Sequence, residues 1–402
     1  MPTRILISIC IVTSFATQAR AWGERGHFII GYTAARLFET QPTPVKQKKL
    51  GIFFTSRTLM LGLLSQIPDI EWKDPRYPQI VKENDPCHYF DTEYVLGLPK
   101  NLRSYLTKIR NLQPNLPKFV KEYIGKPSRV NPSKTITFSS LGSAPFRTQQ
   151  LFQMMVSAFR CASSKRPLTA KQRRWAALHF RNPLRSGYYK CSKNSSRLED
   201  LAAAIEIGGV MSHFIGDLTQ PFHVTADYNG WGTGHGGIHA YFESNVLHYL
   251  DENLGADVLR DAENPARQRQ IMKQLRLTKF SGVPIPTIMF HLIADSYSKR
   301  QEFLDADSRS ALLKPSTICR VGYRCPPHSH LAVRRDFRNP KVQAAFRPII
   351  VERLTVAAYV VYKIWHLAWV EGGRPDVHNI KSYAMPYPLK VPFIRLSPLL
   401  KK

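Results

Sequence analysis

Residues 198–223 read LEDLAAAIEIGGVMSHFIGDLTQPFH. Leu201, Ala204, Ile205, Gly208, Val210 and Met211 recur at helical spacing and fill one broad face, which His213 and Asp217 extend. Pro221 ends the pattern, because proline disfavours helical backbone in the residue before it. His213 and Asp217 are four residues apart, so they lie one above the other on the helix. His239 and Glu243 repeat that spacing in a second predicted helix, His239 to Leu250, and His223 lies between the pairs. Neutral imidazole nitrogen and carboxylate oxygen are the ligands zinc takes where cysteine is missing. Two such pairs within about thirty residues predict more than one metal ion. His235 also precedes His239 by four, so a His235/His239 pair with Glu243 outside the site is an open alternative.

The start of the chain adds to this. Residues 1–21 carry Arg4, an apolar run from Ile5 to about Ala16 and the ending Ala19-Arg20-Ala21, which predicts a secretory signal peptide. The run is too short to be read as a membrane span. Export after Ala21 makes Trp22 the new N-terminus, followed by Gly23-Glu24-Arg25-Gly26-His27. A free α-amino group has a pKa of about 8, so a nearby dication could deprotonate it and use it as a ligand. The mature chain is expected to be secreted or periplasmic.

Elsewhere His27 to Phe38, Leu59 to Ile67 (ending at Pro68) and Phe346 to Trp369 read as helices, and Asn84-Asp85-Pro86 as a turn before His88. Residues 96–145 are rich in Pro, Lys and Ser and predict loops and short helices. The stretch 227–237 holds five glycines and either brings backbone close to a ligand or links two helices. Strand signals are scarce, and the expected fold class is all-α. Ligand-type residues run from 22 to 243 and must converge, which excludes an early independent domain. The expected organisation is residues 1–21 as leader and 22–402 as one helical domain, with insertions at about 96–199 and 256–345.

The formal charge of +28 becomes +26 once Arg4 and Arg20 leave with the leader. That excess predicts an acidic partner (nucleic acid, anionic lipid or an acidic envelope) beside the plainer reading of a generally basic surface. Lys and Arg are dispersed, as in Lys100–Arg110, Lys165–Arg185 and Arg260–Lys279. Dispersal favours a broad field over a sequence-specific reading head. Cys319 with Cys325, and Cys161 with Cys191, could form bridges after export. Cys87 is left over as a small buried side chain or, alternatively, a zinc ligand. His328 and His330 read as surface loop residues, and His291, His366 and His378 have no partner at metal spacing.

These residues together resemble the superfamily of zinc-dependent phospholipases C and fungal-type single-strand nucleases, closer to the nuclease branch. The nuclease pattern W-G-x-x-G-H is matched at Trp22, Gly23, Gly26 and His27, and H-x-x-x-D-x-x-x-P-x-H at His213, Asp217, Pro221 and His223. Asp69 (in Ile67-Pro68-Asp69) and His88-Tyr89-Phe90-Asp91 match two further segments, and His239 with Glu243 the last. The match covers about residues 22–95 and 200–255 and, more loosely, 346–370. It implies an all-α, multi-helix zinc-dependent phospholipase C / nuclease-type fold with long loop-rich insertions, acting as a monomer.

The resemblance also implies three zinc ions. Asp69, His88, His213 and Asp217 would hold one. Trp22 (through its amine and carbonyl), His27 and a bridging Asp217 would hold the second, and His223, His239 and Glu243 the third. Such ions activate water and stabilise charge on the attacking and leaving oxygens of a phosphodiester. Asp69 is the candidate to orient the nucleophilic water. Tyr89 would stack on a base and Asp91 hydrogen-bond it, although Tyr89 reads equally well as a core aromatic and Asp91 is as ambiguous. Nucleases of this type carry an Arg three residues after the early Asp. Here that position is Trp72, and the cationic role passes to Lys73 or a nearby Arg. Glu243, where nucleases have Asp, leans towards the phospholipase branch. The expected activity is therefore a secreted zinc phosphodiesterase cutting single-stranded DNA or RNA. The alternative is a phospholipase C acting on anionic or zwitterionic phospholipid headgroups. A basic nucleic-acid- or envelope-binding protein with structural zinc is the non-enzymatic alternative.

Overall fold

The computed structural model describes residues 22–40, 45–164, 195–310, 338–377 and 391–401, with positions 189, 191, 321, 335 and 336. The expected leader, Cys319, Cys325, His328, His330 and His378 lie outside the described residues. Helices dominate, and the only β-pairing among the described residues is an isolated bridge between Pro127 and Thr135. The helices are α1 Gly23–Thr40, α2 Val45–Thr55, α3 Thr58–Leu64, α4 Ile67–Ile70, α5 Pro78–Asn84, α6 Glu93–Leu96, α7 Leu102–Arg110, α8 Leu116–Tyr123, α9 Phe138–Leu141 and α10 Ala144–Ser163. After these come α11 Arg197–Asp217, α12 Ile238–Ala240, α13 Leu247–Tyr249, α14 Leu254–Glu263, α15 Pro265–Gln274, α16 Ile285–Ser310 and α17 Pro340–Glu371. No single helix among the described residues is long and apolar enough to cross a membrane.

The helix that carries His213 and Asp217, α11, is the axis of the fold. A reciprocal cap fixes its start: the Ser196 hydroxyl accepts the Glu199 N–H, and the Glu199 carboxylate accepts the Ser196 N–H at 2.6 Å. The sequence pattern suggested one apolar face. Instead, every residue from Asp200 to Asp217 is buried, as expected of a helix surrounded on all sides. Small residues permit this. A Cβ on Gly209 would lie 2.4 Å from Leu64 Cβ, so α3 can approach α11 only because that position is glycine. On another side Trp365 of α17 donates its indole N–H to Gly208 O at 3.0 Å.

α10 lies along α11, α1 packs against α2, α3 and α17, and α16 packs against α7, α10 and α17. An aromatic stack of Phe38, Phe54 and Trp365 ties α1, α2 and α17 together, with centroids 4.2 and 5.4 Å apart. Phe119, Phe146 and Phe290 do the same for α8, α10 and α16. The two stretches that sequence reading left unplaced thus supply core helices, α10 and α16, as well as loops. A disulfide joins Cys161 at the end of α10 to Cys191.

Some boundaries differ from expectation. The helix expected to run from Leu59 to Ile67 stops at Leu64, and Pro68 sits inside the short α4 rather than ending a helix. Proline is tolerated in a first turn, where its missing N–H has no partner to lose. The closing helix begins at Pro340 rather than Phe346, capped by the Asn339 side chain on Lys341 N at 2.9 Å. Between α12 and α13 the chain makes a π-helical turn, Tyr241–Val246, which contains Glu243.

Candidate metal centre

Four segments deliver side chains to one end of α11. α1 brings His27, α4 brings Asp69, and a 3-10 turn at Asp85–Cys87 delivers His88. α11 itself brings His213 and Asp217. The His27 ring stacks on His213 at 3.7 Å between centroids, and His88 meets His213 edge-on at 4.9 Å. Asp217 lies at the centre. Its Oδ1 is 3.2 Å from His27 Nε2, and its Oδ2 is 2.9 Å from His88 Nδ1 and 3.4 Å from His213 Nε2. Asp69 closes the group from the other side, 3.7 to 4.0 Å from the same three rings.

A second group forms where the chain leaves α11. His223 Nε2 is 2.7 Å and His239 Nε2 2.8 Å from the same Glu243 oxygen. Ligand-type atoms therefore fall into three sets: His27/Asp69/His213, His88/His213/Asp217 and His223/His239/Glu243. Within each set they lie within 4.8 Å of one another, and all are buried. The five imidazoles and three carboxylates are the eight side chains that the sequence singled out.

These residues fit a bound cation. His213 Nδ1 donates to Ser65 O at 2.7 Å, His223 Nδ1 to His88 O at 2.8 Å, and His239 Nδ1 to Tyr228 O at 3.1 Å. Those carbonyls fix the tautomer, so the Nε2 lone pairs of His223 and His239 point at Glu243 Oε1, and that of His213 points into the cluster, 3.0 Å from His88 Nδ1 and 3.4 Å from Asp217 Oδ2. Two electron-rich atoms at that separation need a proton or a metal ion between them. His88 is turned the other way, with Nδ1 towards Asp217 and Nε2 held at 2.9 Å by the Asn84 amide. Both ring nitrogens of His27, together with Asp217 Oδ1, His239 Nε2 and Glu243 Oε2, are buried without a hydrogen-bond partner. Orphaned buried polar atoms are costly, and here they all face the same sets.

Around Asp217 the electrostatics favour the ligand forms. Burial pushes His213 well below the ordinary imidazole range. Burial also lowers His88, with help from Lys73, so both rings are biased towards the neutral form. Burial alone would raise the Asp217 carboxyl, but His213, His27 and His88 override it and hold it well below the usual range. Asp69 is likewise held low against burial, chiefly by Lys73 and then by the imidazoles. Nitrogen and oxygen donors without thiolate suit zinc and similar divalent ions.

A cleft of about 430 Å³ opens onto His88, His223 and His239, and Lys73, Tyr89 and Asp91 line it. Lys73 is committed elsewhere than expected: its Nζ lies 2.7 Å from Asp69 Oδ1, so it neutralises that carboxylate rather than standing free for a substrate phosphate. Trp72, the position where nucleases carry Arg, is buried in the core and donates to Val391 O at 2.8 Å. Tyr89 is half-buried and its hydroxyl donates to Ser139 O at 2.6 Å. Its backbone is pinned from behind by Gly142, whose φ of +90° and close approach leave no room for a Cβ. Burial, with Glu93 nearby, pushes Asp91 well above the carboxylate range, and its Oδ1 has no partner. Tyr94, Phe222 and Tyr228 complete the walls.

Trp22 sits against the centre. Its indole donates to Gly216 O at 2.8 Å and Thr219 Oγ1 at 3.2 Å, on either side of Asp217. The alternative pairing of His235 with His239 is not formed. His235 Nδ1 is instead 2.7 Å from Asp307, which also holds Arg335, and Glu243 occupies the cluster. Cys87 is a buried free thiol, pushed up to about 11 by burial, whose Sγ lies 3.6 Å from Glu83 O and outside the three sets. His291 binds Leu275 O at 2.6 Å. Sequence reading missed Asn84 and Gln220, the latter donating to Glu243 at 2.5 Å. Gln220 does precede Pro221 inside the quoted stretch, the one signal that could have found it. No protein-family model matches this chain, and neither a curated protein nor a solved structure matches it significantly.

Proposed function

We propose that the protein is an exported, monomeric zinc-dependent phosphodiesterase of the phospholipase C / single-strand nuclease superfamily, acting on single-stranded nucleic acid. The observation that carries the reading is three buried histidine–carboxylate sets, two of which open onto one cleft through His88, His223 and His239, in a chain of charge +28. Three zinc ions would be held by His88, His213, Asp69 and Asp217, by His27 with Asp217 and the Trp22 terminus, and by His223, His239 and Glu243. Bound zinc would supply Lewis-acid activation of water and neutralise charge on the phosphate. Asp69, kept ionised by Lys73, accepts the proton of the attacking water. Tyr89 offers a ring to a base. Asp91, neutral in its buried place, offers a donor as well as an acceptor to the base edge. The Cys161–Cys191 bridge is consistent with export.

A phospholipase C is the second reading, favoured by Glu243 and by the exposed apolar residues Leu98 and Leu102 close in sequence to the cleft residue Tyr94. Incubating the mature protein with single-stranded DNA, RNA and phosphatidylcholine separates the two. Cut polynucleotide is the expected result. Released phosphocholine with intact polynucleotide overturns the first reading.

A further inference from the structure

A second concavity lies across α6 from the cleft. It is an open groove of about 590 Å³ lined by Asn101, Arg103, Ser104, Thr107, Lys108 and Asn111, with Leu96 and Tyr123 among its other residues. α6 is shared between the two: Tyr94 lines the metal cleft and Leu96 the groove. Residues two apart leave nearly opposite sides of a helix, so α6 separates the two depressions, and a strand leaving the cleft reaches the groove by passing over α6, a span of a few nucleotides.

The groove's chemistry differs from the cleft's. No acidic side chain lines it, whereas Asp85 and Asp91 line the cleft. Tyr105 and Ile109 anchor α7 in the core, which holds Arg103 and Lys108 at the surface. Among the described residues neither cation has a carboxylate within ion-pair distance, unlike Arg260, Lys299, Arg347 and Lys401. Exposed Lys100 precedes the groove residue Asn101 in the chain and adds a further positive charge. Amides and hydroxyls beside unneutralised cations suit phosphate oxygens.

We propose that this α7 groove is a backbone-binding track for a polyphosphodiester strand whose scissile group lies in the metal cleft. The proposal rests on the nuclease reading above and assigns Arg103 and Lys108 to phosphates several nucleotides from the cut. The protein would then favour longer strands over dinucleotides, with binding that weakens as salt rises.

The test compares wild type with R103A/K108A, both zinc-loaded, by fluorescence anisotropy with labelled phosphorothioate (dT)2 and (dT)12, which keep the backbone charge and resist cutting. Hydrolysis of bis(p-nitrophenyl) phosphate and co-sedimentation with phosphatidylcholine/phosphatidylglycerol vesicles run alongside. Both side chains are exposed, so the variant should fold as wild type does. Affinity for (dT)12 should fall about tenfold at low salt, the sum of two exposed charge contacts. The log–log salt slope should flatten by about 1.4. (dT)2 binding and diester hydrolysis should not change. Equal (dT)12 binding by both proteins overturns the proposal, as does loss of vesicle binding with oligonucleotide binding intact. A wild type that hydrolyses no diester overturns the underlying reading instead.

Discussion

Replacing Asp217 by Asn keeps its shape and removes one negative charge from the point where His27, His88 and His213 converge at 2.9 to 3.4 Å. Asp217 belongs to the His88/His213/Asp217 set and its Oδ1 also reaches His27 of the neighbouring set, while the His223/His239/Glu243 set draws its carboxylate from Glu243. The variant should therefore lose two ions and keep one. A site held at a hundred times its Kd contributes about 2.7 kcal/mol to the folded state, so two lost sites remove about 5 kcal/mol. For a chain of this size that lowers Tm by on the order of 10 °C. Metal per protein, measured by mass spectrometry after gel filtration, should fall from three to one. The calorimetric Tm gap should shrink below half when both proteins are scanned in chelator. A D217N protein that retains three ions, or a gap of unchanged size in chelator, would refute this account of the centre.

Three further outcomes are expected. In K73M, burial opposes ionisation of Asp69 with only the imidazoles left against it, so the carboxyl rises and the acid limb of kcat/KM moves to higher pH. Activity at pH 5 should fall relative to activity at pH 7, and an unchanged limb would contradict the role of Lys73. On acidification the His223 set should release its ion first. Burial would lower His223, but Glu243 overrides it and raises it, whereas His213 and His88 are lowered, so protons displace metal from His223 at higher pH. Metal content followed against pH should step from three to two before falling further, and a simultaneous loss of all three would contradict this ordering. The same raised value, with Glu243 lowered against burial by His239 and His223, means that in chelated protein the His223–Glu243 contact stabilises fully between about pH 4.3 and 6.5 and fades as pH rises above or falls below that window. Finally, a C161S/C191S double variant opens a loop with a sequence separation of 30, which should cost about 3.6 kcal/mol by chain entropy. An unshifted denaturation midpoint would place the bridge's contribution elsewhere.

What the sequence displayed was chemistry at fixed spacing. His213, Asp217 and the α11 helix could be read because side chains four apart share a face, and all eight ligand-type side chains do meet. Contacts made by backbone were invisible. Ser65 O, His88 O and Tyr228 O orient three of the imidazoles, and a carbonyl leaves no mark in residue identity. The commitment of Lys73 to Asp69 is also a product of packing: i,i+4 spacing permitted it, but only burial of both made it preferable to a free cation. α10 and α16 were missed because their buried residues are spread around the helix, which blurs the one-sided periodicity that marks an amphipathic helix. His235 shows the converse, since its spacing to His239 was right for a ligand and Asp307, seventy-two residues away, took it instead.

The centre can be tested directly by anomalous diffraction at the zinc edge from crystals of the protein beginning at Trp22. Three peaks are predicted, two flanking Asp217 and one between His223, His239 and Glu243. Crystals grown with zinc that show no peak at these side chains would contradict the account.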